Sequence, residues 1–582
     1  MKKTPLIFFF LLRISSVLSQ DDSNYVYINN ANIGEQIFRE TDSTGSLFKN
    51  SYDPESIFIL GNGSKEYTIQ RMMSGYNNFG ASFFHFFSKQ ELFISSNPVV
   101  RATYFVGTNK EQVFKINHHQ QINQQFFYSV SYQKINNEGF FRNQLSVYDD
   151  LKAGIHFNSK KGNYRLNMVS ELVKIKREEN GGVVSDSSFE EREFRNYMLY
   201  ETNLNSARNI KDKFSIFLEN ILPLGKDKHF YIADKIFMNS YERAYTDNPA
   251  EGFYSSIYYD SLVTNDKNLF NEFSNRFFTG YKFSDSSFID AYMDVAYSEY
   301  QDIDFDTTTV NFRVGSKSEF YVGKSVFEKM AAFYYLSGYN EGDFGLESTT
   351  KVRVNKKNDE VEISAIFFRQ QPLMNLLVYN SNNFKWRNDF EPQKEFNGSI
   401  KIKSSELKSE LKLEFGSSDN FIYFNHFSSP EQYASSIYYY KSGLKNTIGK
   451  KKWKMENELI YQGTSNKEIL RIPNFITKNT FSYSSSLWSM DFRAGITFFY
   501  YTSYYSHAWS PSLEEFYLQN DRKTGNYPFA GLFFEGKIKS VTLFAALDHA
   551  NDGLLKRNYY SVLHYPMNPR TFRFGISWEF KD

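Results

Sequence analysis

The sequence predicts an all-β protein, a transmembrane antiparallel β-barrel, and three observations carry that prediction. The last strand, Thr571 to Phe580, alternates, with Phe572, Phe574, Ile576, Trp578 and Phe580 on one face and Arg573, Gly575, Ser577 and Glu579 on the other. Near the start, Lys2 and Lys3 precede the apolar run Leu6 to Leu12, the form of an export signal. Finally, 60 Phe and 43 Tyr in 582 residues coexist with a mean hydropathy of -0.53. That is the aromatic content of two membrane girdles averaged against a polar lumen face, as expected when the two faces alternate along every strand.

Residues 1–19 read as a signal peptide cleaved after Ser19, because the apolar run is too short to span a bilayer as a helix and Arg13 interrupts it. With no Cys, the chain offers neither a lipobox anchor nor a disulfide nor a thiolate metal site. Residues 20–66 are polar and are expected to form a periplasmic lead or a lumen segment, too short for a receptor plug domain. Residues 67–582 are expected to form the barrel itself.

Within that span, Phe126, Tyr128, Val130 and Tyr132 face one way, followed by Leu151, Ala153, Ile155 and Phe157, then by Leu166, Met168 and Leu172 opposite Arg165, Asn167 and Glu171. Ile289, Ala291, Met293, Val295 and Tyr297 form a stripe opposite Asp290 and Asp294, and Val310, Phe312 and Val314 one opposite Arg313 and Lys317. Leu411, Leu413 and Phe415 oppose Glu410, Lys412 and Glu414; Trp488, Met490, Phe492, Ala494, Ile496 and Phe498 oppose Asp491 and Arg493. A soluble sandwich also alternates, but it would leave dozens of outward aromatics with no helix to cover them. Crossing strands of about ten residues each predict an even number near eighteen, in the range of about sixteen to twenty, closing last strand on first and leaving no free edge.

Chemical motifs are sparse. There is no Gly-rich phosphate loop, no His-Glu-x-x-His and no Gly-x-Ser-x-Gly, so no catalytic residue, cofactor or metal site is predicted and no enzyme is expected. His118 and His119 are adjacent and would point to opposite faces of a strand, which disfavours a shared metal. Asp302, Asp304 and Asp306 share one face of an extended segment, but the Gly and final Glu of an EF-hand are missing, so a solvated outer loop is the simpler reading. Lys450 to Lys452 reads as a turn, and a net charge of +1 gives no reason to expect nucleic acid.

Three stretches carry a family resemblance. Ser51 to Ser64 (SYDPESIFILGNGS), Glu111 to Gln120 (EQVFKINHHQ) and the ending Tyr559 to Met567 followed by Arg570 to Trp578 resemble the putative β-barrel porin family of Bacteroidetes-type outer membranes. The resemblance implies an outer-membrane barrel in a Gram-negative cell and supplies no catalytic residues. The expected partners are outer-membrane lipid, the barrel-assembly machinery that reads terminal aromatic strands, and small hydrophilic solutes. The expected function is a channel for passive diffusion, lined by Asp290, Asp294, Arg313, Lys317, Asp491, Arg493, Arg573 and Glu579. The alternative is a plugged barrel that acts as a secretion or assembly partner or binds protein at the surface, with an outer-membrane hydrolase a distant third.

Overall fold

Val99–Gly107 pairs with Glu111–Gln121 on one side and with the final strand, Thr571–Lys581, on the other, and this last pairing closes a barrel of 22 antiparallel strands. In the computed structural model the described residues are 25–29, 91–95, 98–284, 287–323, 325–354 and 359–581. The expected signal peptide, nearly all of residues 20–66 and the stretch Ser51 to Ser64 lie outside them. The expected closure is present, with Ala102, Tyr104 and Val106 opposite Trp578, Ile576 and Phe574. The expected number of strands is too low. Strands joined by very tight turns, such as Val99–Gly107 and Glu111–Gln121 around Asn109 and Lys110, merge in a sequence scan, and Val541–Asp548 is too short to stand out.

Alternation fixes the two faces. Phe572, Phe574, Ile576, Trp578 and Phe580 are all exposed, whereas Arg573 between them is 1% exposed. The same division holds for Met293 and Val295 against Asp294, and for Leu172 and Phe214 against Glu171 and Ser215. In a closed sheet the exposed apolar face is the outer one and meets lipid, so the polar face lines the lumen. Two close approaches depend on glycine. The Tyr292 ring lies over its cross-strand partner Gly315, and Phe544 and Phe105 flank Gly575, leaving no room for a Cβ at either place.

The ends differ. Both termini of the wall emerge at the end where connections are short, such as Lys451 and Lys452, whose left-handed Lys451 (φ 55°) makes the turn, and this is the periplasmic end. Trp488 falls in such a turn, 95% exposed, and the strand expected to include it begins at Met490. At the opposite end the connections 138–145, 179–207, 248–263, 371–392, 420–436, 502–528 and 549–570 fold onto one another. Before the wall begins, Tyr25–Asn29 pairs with Glu91–Ser95, which passes across four successive wall strands from Glu111–Gln121 to Arg165–Glu178. The outward residues Phe114, Val130, Leu151 and Leu172 of those strands are exposed, so the segment lies on the lumen side.

Candidate functional site

The predicted lumen residues all lie on the inner face and most are engaged by neighbours on the wall. Asp294 sits directly between Arg276 and Arg313 in register, bonded to Arg276 Nη2 at 2.8 Å and to Arg313. The Tyr231 hydroxyl donates to Asp290, Lys317 pairs with Glu319 at 3.1 Å, Arg493 with Glu456 at 2.7 Å, and Asp491 accepts from Ser486. Arg573 holds Glu111 at 2.7 Å and Asp548, and Glu579 pairs with Arg101. The lumen face is thus a network of wall-to-wall ion pairs, which aligned cross-strand positions favour.

The other motifs resolve structurally. His118 packs edge-on against Tyr128 while His119 is buried on the inner face, so the two diverge. Asp302 accepts from the backbone N–H groups of Asp304, Phe305 and Asn380, whereas Asp304 turns to Lys385 at 3.6 Å. The three aspartates therefore do not converge.

The sequence did not reveal the outer mouth. The connection 502–528 leaves the wall between Met490–Tyr501 and Phe529–Ile538 and forms a hairpin, Ala508–Ser510 with Glu515–Tyr517. Glu515–Tyr517 adds in parallel to Phe421–Phe424 of a neighbouring connection, giving a small four-stranded sheet across the opening. Three apolar clusters bind it in place. Tyr504 and Tyr527 pack with Phe141, Phe189, Tyr200 and Tyr559; Leu513 packs with Met374, Leu376 and Phe424; Trp509 packs with Val562 and Tyr565. Arg522 pairs with Asp186 at 3.1 Å and lies 4.0 Å over the Tyr560 ring. Gly182, in the left-handed region at φ 82°, has no space for a side chain because the His564 backbone lies against it, joining 179–207 to 549–570.

At the hairpin tip stands Glu514, itself left-handed at φ 50° and with only 2% of its side chain exposed. Its carboxylate accepts from Lys211 Nζ at 2.9 Å and Arg243 Nε at 3.0 Å, with Arg177 at 3.6 Å. Arg243 also donates to the Ser512 carbonyl at 2.5 Å, and Asn209 donates to the Pro511 carbonyl at 2.8 Å. These partners belong to Arg165–Glu178, Arg208–Leu224 and Phe230–Asp247, which stand nearly opposite the strands from which the hairpin springs. The connection therefore crosses the mouth and is latched on the far wall. Beside the latch, Glu179 accepts from Trp509 Nε1 at 3.1 Å and Asn209 Nδ2 at 3.2 Å. Burial, and next the Glu514 charge, push the Glu179 carboxyl up to about 7. Burial alone would raise Glu514 as well, but Lys211, Arg243 and Arg177 together hold it below the usual glutamate range.

Sequence reasoning had access to one clue here: alternation fails between Tyr501 and Phe529 in a segment rich in aromatics, which is unusual for a solvated loop. No local pattern joins Glu514 to cations some 270 to 340 positions earlier in the chain, from Arg177 to Arg243.

Known structures share this architecture. The FrpB iron transporter from Neisseria meningitidis superposes with a TM-score of 0.61 at 10% identity, covering 84% of this chain and 83% of that one. The ferric enterobactin receptor from Pseudomonas aeruginosa gives 0.59 at 10% identity, covering 84% and 82%. The ferric-catecholate import receptor Fiu from E. coli K12 gives 0.56 at 11% identity, covering 85% and 83%. Comparison with curated proteins finds no sequence match. The family described as putative porin matches residues 95–582, the whole of the wall. With its lipid-facing apolar belt and closed antiparallel wall, the chain is an outer-membrane β-barrel of a Gram-negative cell, and it belongs to the putative porin family.

Proposed function

We propose that the protein is a gated outer-membrane channel for small hydrophilic solutes, shut at rest by the connection 502–528. The observation that carries this reading is the latch of Glu514 onto the far wall, because a permanently open diffusion pore would not span its own mouth with a buried, ion-paired hairpin. Removing a partner from such a buried pair costs about 3 to 5 kcal/mol, so the latch is strong while intact and sensitive to any competitor for its cations. Barrels of this strand number enclose a lumen wide enough to need plugging, which supports occlusion as a functional feature. The similar structures are named as transporters and receptors, and this supports a solute-handling role over a purely structural one. The lumen ion pairs would hold water and weakly select ions once the mouth opens.

Planar-bilayer recording tests the proposal. The wild-type protein should show rare, brief openings, and replacing residues 504–526 with a short Gly-Ser linker should give a steady conductance. Equal steady conductance from both would refute gating, and silence from both would favour the partner-binding barrel.

A further inference from the structure

We infer that the three wall cations around Glu514 form a binding site for the carboxylate of a small organic solute, and that Glu514 occupies this site as a tethered stand-in while the mouth is shut. This rests on the gated-channel reading and names the class of solute that the gate would answer to.

The argument begins with register. Lys211 and Arg243 are direct cross-strand partners, both facing inward, and Arg177 lies on the adjoining strand opposite Asn209. Like charges placed directly opposite one another destabilise a sheet unless an anion lies between them. Elsewhere the wall supplies that anion itself. Asp294 sits in register between Arg276 and Arg313, Glu219 is the direct partner of Lys235, and Arg573 is met by Asp548 from the adjacent strand and by Glu111 from the strand beyond Val99–Gly107. At Lys211 and Arg243 the carboxylate that bonds both cations comes instead from a connection rooted across the barrel, while Asp266 on the wall adds a further negative charge near Arg243. The cations are held by the wall ladder, and the anion is on the part that closes.

The site is also built to receive more than a point charge. Arg243 is fully buried and is oriented by Asn209 Oδ1 at 2.8 Å and Asn268 Oδ1 at 3.4 Å, so its Nε–H edge is presented toward the carboxylate. Arginine held in this manner recognises planar carboxylates, and Lys211 adds a second, charge-assisted donor. The Tyr254 hydroxyl, which accepts from the Ser512 N–H at 3.0 Å in the shut form, would be released to a solute hydroxyl once the hairpin leaves. A solute carboxylate that takes the place of Glu514 removes the hairpin's anchor. Binding then favours the open mouth by its differential affinity for the open state.

The test uses the full chain, folded in detergent and checked for barrel formation by heat-dependent gel mobility, with calorimetric titration of succinate at constant ionic strength. Glu514→Ala should bind succinate about tenfold or more tighter than wild type, because the tethered competitor is gone. Adding Lys211→Gln to that background should weaken binding about tenfold. Glu514→Gln serves as the second variant should the alanine protein not fold. Unchanged succinate affinity in a folded Glu514 variant overturns the site, and orthophosphate binding at least as tightly as succinate overturns the carboxylate assignment. Conductance separates the two readings. A Glu514 variant that opens without binding succinate leaves gating intact and removes the solute site, whereas one that binds succinate yet stays shut keeps the site and removes the gate.

Discussion

At the periplasmic end the wall strands are joined by turns such as Lys451 and Lys452; at the outer end the same strands are joined by segments as long as 179–207, packed through shared aromatic clusters. The short turns satisfy only local geometry, and a left-handed residue is enough to reverse the chain. The outer segments have to find partners far away in sequence, such as Glu514 with Lys211 and Arg243, or Arg522 with Asp186. One end merely reverses the chain, while the gating proposal requires of the other a second arrangement, since only an element with two arrangements can serve as a gate.

The largest expected contrast lies at the latch. Glu514→Gln leaves three cations without their bridging charge, and the shut state should lose about 3 to 5 kcal/mol, read as a rise of two or more decades in open probability. Moving Lys451 to Gln at the other end should leave open probability unchanged. If the two substitutions behave alike, the difference between the ends has been misread.

Within the wall, Met293→Arg should destabilise the barrel by about 2 to 4 kcal/mol in denaturant titration, since Met293 faces lipid near the middle of its strand. Asp290→Asn, on the same strand but on the lumen face, should leave the barrel folded and change ion preference only after the mouth is opened.

A smaller effect is expected from Glu179. Burial and the Glu514 charge raise its carboxyl to about 7 in the shut form, and on the gating proposal opening would admit water and remove that charge, returning it toward the ordinary range. A raised acid favours the shut form while protonated, so that contribution is complete below the ordinary glutamate range and is lost as pH rises toward 7. Open probability should climb between about pH 5 and pH 7 and level off above, by an amount worth up to about 3 kcal/mol. The lowered Glu514 carboxyl acts only at more acid pH, outside this window. Glu179→Gln should flatten the profile, and an unaltered profile would assign the pH response to another group.

Much of the wall was legible because alternation is a local signal. Phe574, Ile576, Trp578 and Phe580 are exposed on the outer face and pair with the first wall strand, while Asp294, Arg313 and Arg573 are buried on the opposite face. The number of strands was not legible, because tight turns such as that around Asn109 and Lys110 merge neighbouring strands and Val541–Asp548 is too short to stand out. The mouth was illegible for a different reason. Glu179, Lys211, Arg243, Trp509 and Glu514 have no common spacing and are brought together only by closure of the barrel.

The absence of native cysteines allows the gate to be locked directly. Cysteines introduced at Asn209 and Pro511, which face each other across the latch, can be bridged by a short cleavable thiol crosslinker, with current recorded before and after cleavage. A gated channel predicts that the bridged protein is silent even with Glu514→Gln present, and that cleavage restores frequent opening in the same membrane. A bridged protein that conducts as freely as the cleaved one would show that solutes do not pass where the hairpin stands, and would contradict gating by this segment.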